Sequence, residues 1–313
     1  MSLSRVVIQV NDLTDLEKLF VQVRRIEEHR EKEFEKEIRT VYQRLLKDLR
    51  YFLSDIYTQY AEEDKLNIAI LQQHGEYARF LEEVEQRVSS ISAETKRLMR
   101  STVEQAYETI YNGLISCVQK ATESITELTG LANCTPEVLK RAMDNPISGL
   151  TLSDTLEKHR KEVVYDIKKE LNVGLMNGDR FSTMAKRMKT TLNGDYKKSI
   201  RIVRTETHRV REAGNHDAAQ EVNKAMEDSK IEMVKTWRTM KDERVRPAKA
   251  KGRNKKYNHK KMEGVTIPVD EFFILPSGAK TKAPGQSGVA GEDINCRCYL
   301  SYGIREKGGK DES

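Results

Sequence analysis

The chain has 313 residues, 33% of them charged and 37% apolar, and carries a net charge of +6. It is long enough for two or three domains, but it has no apolar run of bilayer-crossing length, no signal-like N-terminal stretch, and only four cysteines, too few for a disulfide framework in a chain this long. Membrane-spanning, secreted and disulfide-stapled classes are set aside, synthesis in a cytoplasm is expected, and the excess charge favours a polyanion or an acidic protein surface as partner without choosing between them.

The first glycine is Gly75 and the first proline Pro136, whereas from Pro247 onward the chain carries nine of its 17 glycines and four of its six prolines. These residues break helices and set turns. The first three quarters therefore read as helical, and the last quarter as short strands and loops. Phe34, Ile38, Val41, Leu45, Leu49, Phe52, Ile56 and Tyr60 recur at steps of three and four, one face of a helix; Leu13, Leu16, Phe20 and Val23 extend the pattern upstream. A second stripe runs through Leu81, Val84, Val88, Ile91, Leu98, Val103, Ile110, Leu114 and Val118. Two such stripes predict a long antiparallel hairpin.

After the turn residues Asn133-Cys134-Thr135-Pro136, a helical block runs to about Lys230, punctuated at Asn145-Pro146 and Asn177-Gly178-Asp179. A further helix is expected after Gly194. From Glu232 the composition becomes strand-like, with Val234 to Met240 around Trp237. The expected fold class is mainly α with a small C-terminal α+β domain, elongated overall. It divides into a long helical region (1–135), a helical block (136–231) and the C-terminal domain (232–313).

Three sets of residues from Arg204 onward carry chemistry. Glu206 lies three residues after Val203 and four before Val210, on an apolar face, so its carboxylate needs a partner. Arg244, Arg246 or Arg297 can supply one, and Arg204, Glu206, Asp242, Arg244, Arg246 and Arg297 are read as structural ion-pair residues in preference to an acid–base catalyst. Cys296 and Cys298, two apart on an expected strand, point to one face, where His259 can join them, with Asp242 as a fourth zinc ligand. Reduced core thiols are the plainer reading, and no cofactor is otherwise expected. Lys249, Lys251, Arg253, Lys255, Lys256, Lys260 and Lys261 form the most basic segment. It can meet the phosphates of double-stranded DNA without base specificity, and Tyr257 alone offers a stacking ring. No P-loop, G-x-S-x-G or HExxH is present, so no catalytic residue is assigned.

Read in order, Arg204-Thr205-Glu206, Trp237, Asp242/Arg244/Arg246, His259 with Gly264, Pro284-Gly285 and Asn295-Cys296-Arg297-Cys298 resemble the C-terminal domain of the phage Mu protein F-like head morphogenesis family. In that family the histidine follows the second arginine closely; here Pro247 to Asn258 intervenes, removing the sequence proximity on which a close Arg246–His259 arrangement would rest. The resemblance implies a minor head protein rather than an enzyme. It would be associated with the portal protein and with a major capsid or scaffolding protein, and would act in head morphogenesis and in DNA packaging or ejection. Its place would be the virion interior, and the host cytoplasm during assembly. The alternative is an enzyme of nuclease or ADP-ribosyltransferase type delivered with the DNA.

Overall fold

A computed structural model of the chain describes residues 10–122, 131–144, 150–246 and 256–307, with backbone only for 10–24, 27, 28, 121 and 122. The fold is mainly α with a small C-terminal sheet region, as the distribution of glycine and proline predicts. The helices are α1 (Val10–Tyr60), α2 (Ile68–Gln73), α3 (Tyr77–Thr122), α4 (Pro136–Asp144), α5 (Leu152–Asn177), α6 (Phe181–Ala225) and the single turn α7 (Ala290–Asp293). The strands are β1 (Ile231–Thr239), β2 (Thr266–Pro268), β3 (Phe273–Ile274), β4 (Lys280–Thr281) and β5 (Cys298–Glu306). Two compact units emerge, each assembled from non-consecutive segments.

The bundle unit comprises residues 31–101 and 153–203. Arg44 pairs with Glu94 at 2.6 Å and Phe52 stacks on Phe80 at 5.6 Å, so α1 and α3 run antiparallel, as the two stripes predict. The α3–α5 side is joined by Tyr77 to Asn172 at 2.8 Å and by Arg160 to Ser89 at 3.2 Å. The α5–α6 side is joined by Arg187 to Glu170 at 3.1 Å and by His159 to Ser199 at 2.8 Å. Tyr42 to Ser199 at 2.7 Å closes the ring back to α1. The hairpin is thus half of a four-helix arrangement around one aliphatic core, which includes Leu45, Leu49, Leu53, Val84, Val88, Ile167, Leu171, Met184 and Met188. Each such side chain contributes about 1.5–3 kcal/mol on leaving water.

Two expectations shift here. Leu53 and Tyr57 are buried where the stripe named Phe52 and Tyr60, which are half-buried; over several turns the 3.6-residue period moves the buried line from one column to the next. No helix starts after Gly194, because α6 passes through it unbroken. A glycine in a helix interior costs only about 1 kcal/mol, less than the flanking apolar residues on α6 return by packing.

The sheet unit holds the remaining described segments, including residues 204–307. Its three strands run antiparallel in the order β2-β1-β5, with β1 and β5 paired from Ile231↔Glu306 to Thr239↔Cys298. Met233, Lys235, Trp237 and Thr239 share the buried face of β1, the period-two pattern of a half-covered strand. The C-terminal part of α6 is tied to the sheet by buried polar contacts: Glu212 Oε2 accepts from Leu300 N at 3.0 Å, and Asn223 Oδ1 accepts from Met233 N at 2.8 Å. The leading stripe residues Leu13, Leu16, Phe20 and Val23 have no described side chains, and Asn145-Pro146 lies outside the described residues.

Candidate functional site

The ordered motifs of the C-terminal region converge around Trp237, which is 1% exposed on the central strand. Its ring meets His259 edge-on at 5.8 Å and Phe273 at 5.2 Å. Its main chain is clamped by the loop that follows His259: Gly264 N donates to Trp237 O and Trp237 N to Val265 O, both at 2.9 Å. Pro284-Gly285 lies against α6. A side chain on Gly285 would meet the His208 ring at 3.4 Å and the Arg209 backbone at 3.5 Å, and its φ is +79°, so close approach and left-handed backbone both select glycine.

His259 sits on a 3-10 turn (His259–Met262) and is 1% exposed. Its Nε2 lies 2.6 Å from Glu292 Oε2 on α7, and the other carboxylate oxygen accepts from Ser277. Its Nδ1 faces Cys296 Sγ at 3.5 Å and Cys298 Sγ at 3.4 Å. Both thiols are buried and outside any disulfide. Cys296 is not on a strand as expected: β5 begins at Cys298, and the left-handed backbone of Asn295 (φ 56°) turns the chain just before Cys296. Both sulfurs face His259 all the same. Among the described residues, His259, Cys296 and Cys298 form a group whose donor atoms all lie within 4.8 Å of one another.

The two thiols are unequal. The hydrogen bond from Cys298, with those from His208 and His259, pulls the Cys296 thiol well below its ordinary range despite burial. Cys298, donating to Cys296 and buried beside it, is pushed up. Burial opposes charge on His259, but Cys296 and Glu292 outweigh it and its pKa is raised. Asp242 is elsewhere: it pairs with Arg297, and with Arg244 at 3.4 Å.

The ion-pair residues separate into distinct roles. Glu206 pairs with none of the three arginines proposed for it. Its partner is Arg209, one turn along α6 at 3.0 Å, with both side chains buried. Arg209 also donates to the Ala142 carbonyl at 3.1 Å. Arg246 binds main-chain carbonyls, Glu292 O at 2.7 Å and Ile294 O, at the end of α7. Arg204 is exposed on α6. Thr205 Oγ1 accepts from Asn295 N at 3.4 Å, joining the first motif to the last.

Of the basic segment, Lys249, Lys251, Arg253 and Lys255 lie outside the described residues, while Lys256, Lys260 and Lys261 are exposed. Lys260 N donates to Arg246 O at 3.2 Å, so the insertion does not separate Arg246 from the histidine turn. Sequence reasoning missed Arg209, Glu292 and His208. The i,i+3 spacing of Glu206 and Arg209 was a usable signal; nothing local marked the other two.

Residues 165–301 match the family described as Phage Mu protein F like protein, in agreement with the resemblance carried by residues 204–298. The chain is 28% identical to the minor head protein GP7 of Bacillus phage SPP1 over 270 residues, 86% of this chain and 82% of that one. It is also 24% identical over 258 residues to a protein of Enterococcus faecalis named NAD(+)–arginine ADP-ribosyltransferase EFV, 79% of this chain but 49% of that protein. No solved structure matches significantly.

Proposed function

We propose that this chain is a phage minor head protein that associates with the portal, takes part in head morphogenesis, and contacts packaged DNA during packaging or ejection. The carrying observation is the near end-to-end similarity to a minor head protein, 86% of one chain against 82% of the other. The arrangement around Trp237 fits that reading. Its charged residues bind one another or main-chain carbonyls, and the geometry shapes a core rather than an open catalytic cleft. The α1 and α3 helices are the proposed portal-binding element, and the Lys249–Lys261 segment the proposed phosphate contact.

The test is co-purification with the portal protein encoded in the same genome, together with quantification of the chain in purified procapsids and virions. Low-copy presence in both particles and loss of portal co-purification on deleting residues 1–130 are expected. Absence from both particles would sink the proposal. DNA binding should weaken steeply with salt and weaken further when the seven basic residues become glutamine.

The similarity to the ADP-ribosyltransferase supports a second reading, an enzyme delivered with the DNA. The match leaves half of that protein uncovered, so we assign its named activity to no residue here. Incubation with NAD(+) and an arginine-bearing acceptor is expected to give no transfer; transfer abolished by a point substitution within residues 165–301 would favour the enzyme.

A further inference from the structure

We propose that Cys296, Cys298 and His259 Nδ1 bind a zinc ion that fastens the start of β5 to the histidine turn at the base of the basic insertion. The distances carry it. With zinc–sulfur bonds of about 2.3 Å and zinc–nitrogen bonds of about 2.0 Å, the nitrogen–sulfur edge of a tetrahedron is about 3.5 Å. The two nitrogen–sulfur separations here are 3.5 and 3.4 Å, and the whole triangle lies within 4.8 Å. The three donors already outline one face of that tetrahedron. A neutral imidazole and two sulfurs are the donor types zinc selects.

The groups behind the donors fit as well. A metal-binding imidazole presents one nitrogen to the ion and is held through the other, commonly by a carboxylate. Glu292 does this at Nε2, 2.6 Å away, with both partners buried, and Ser277 holds the carboxylate in turn. His208 Nδ1 lies 3.0 Å from Arg211 Nη2. Arginine can only donate, so the His208 proton sits on Nε2, a buried atom without a hydrogen-bond partner that lies near Cys296. A buried N–H near a sulfur favours the thiolate form that zinc binds. Trp237 Nε1 is likewise buried without a hydrogen-bond partner and near Cys298. Among the described residues no further His, Cys, Asp or Glu joins the group, which leaves the fourth vertex to a small exogenous ligand such as water.

The site has a structural purpose. Strands β2, β3 and β4 have only two or three residues each, so the region between β1 and β5 has little backbone pairing of its own. An ion bound by residues 37 and 39 positions apart closes that loop-rich segment at one point and fixes the histidine turn beside which Lys256, Lys260 and Lys261 are displayed.

The full chain, purified without chelator and equilibrated with zinc, would be tested by elemental mass spectrometry and by cobalt substitution. One metal per chain is expected, and a cobalt form with thiolate charge-transfer and tetrahedral d–d bands. Both should be lost in Cys296→Ser and Cys298→Ser and kept in Cys117→Ser. Glu292→Gln, which keeps all three ligands, should weaken zinc affinity by about 10- to 100-fold. If the serine variants fail to fold, the wild-type chain decides alone: zinc must protect two thiols from a thiol reagent, and a chelator must expose them again. Far less than stoichiometric zinc, cobalt without thiolate bands, or thiols that react equally fast with and without zinc would overturn the assignment.

Discussion

Arg209→Met leaves Glu206 buried without its cation, and the cost can be worked out from the structure. Wild-type Glu206 and Arg209 lie 3.0 Å apart, with side chains 5% and 2% exposed. Burial already raises the Glu206 pKa against the pull of Arg209. Without the guanidinium the carboxyl takes up a proton on folding rather than stay buried as an anion. That caps the penalty at neutral pH at the cost of protonating an ordinary glutamate, about 1.4 kcal/mol for each pH unit above about 4.3, or about 3.7 kcal/mol at pH 7. The Ala142 carbonyl also loses its donor, which adds about 1 kcal/mol. A total of at most about 4.7 kcal/mol follows, less what burial already costs Glu206 in the wild type. The sign is definite. In the variant the folded pKa of Glu206 lies above the unfolded one, so the deficit is largest at high pH and shrinks as pH falls toward 4.3, to at most about 2 kcal/mol at pH 5. Urea unfolding followed by fluorescence of Trp237, the single tryptophan and buried in the same unit, measures both points. Glu206→Leu with Arg209→Met should recover most of the loss, because a buried pair replaced by apolar groups is often neutral. A loss below about 1 kcal/mol at pH 7, or one that does not change with pH, would refute the reasoning.

Two further outcomes are expected. His216, whose ring nitrogens are both buried without partners, is pushed down to about 3 by burial and by Lys235 and Lys282. Its neutral form therefore stabilises the fold fully above the ordinary histidine pKa, and that stability is lost as pH falls, so wild type should lose about 1.4 kcal/mol per pH unit relative to His216→Gln below about pH 6.5; parallel urea midpoints from pH 7 to 5 would contradict this. Gly194 has open space at its Cβ position, whereas a Cβ on Gly214 would stand 3.0 Å from the Tyr107 carbonyl, so Gly194→Ala should stabilise by about 1 kcal/mol and Gly214→Ala should destabilise by about 1–3 kcal/mol, read as shifts in denaturation midpoint.

What could be read from residue order divides along physical lines. Leu45, Leu49, Val84 and Val88 were legible because burial repeats with the helical period. The break assigned at Gly194 was not real, since a local propensity of about 1 kcal/mol yields to packing along a long helix. The thiols and His259 were legible as chemistry because side-chain type alone limits what they can bind. Glu292 was not: it stands 33 positions from His259 on a single helical turn, and only the folded chain puts them side by side. Glu206 reads as a carboxylate in need of a cation, for which distant motif arginines were the expected source, whereas Arg209 on the same helix supplies it.

The hydrogen bond from Lys260 N to Arg246 O holds the two flanks of the basic insertion together. A segment anchored this way can change length at small entropic cost, about 0.6 kcal/mol per doubling. The position is a natural graft site: an epitope, a protease site or a fluorophore tag placed between Arg246 and Lys256, clear of the buried His259, would report on the chain's surroundings while leaving the strands on either side in register.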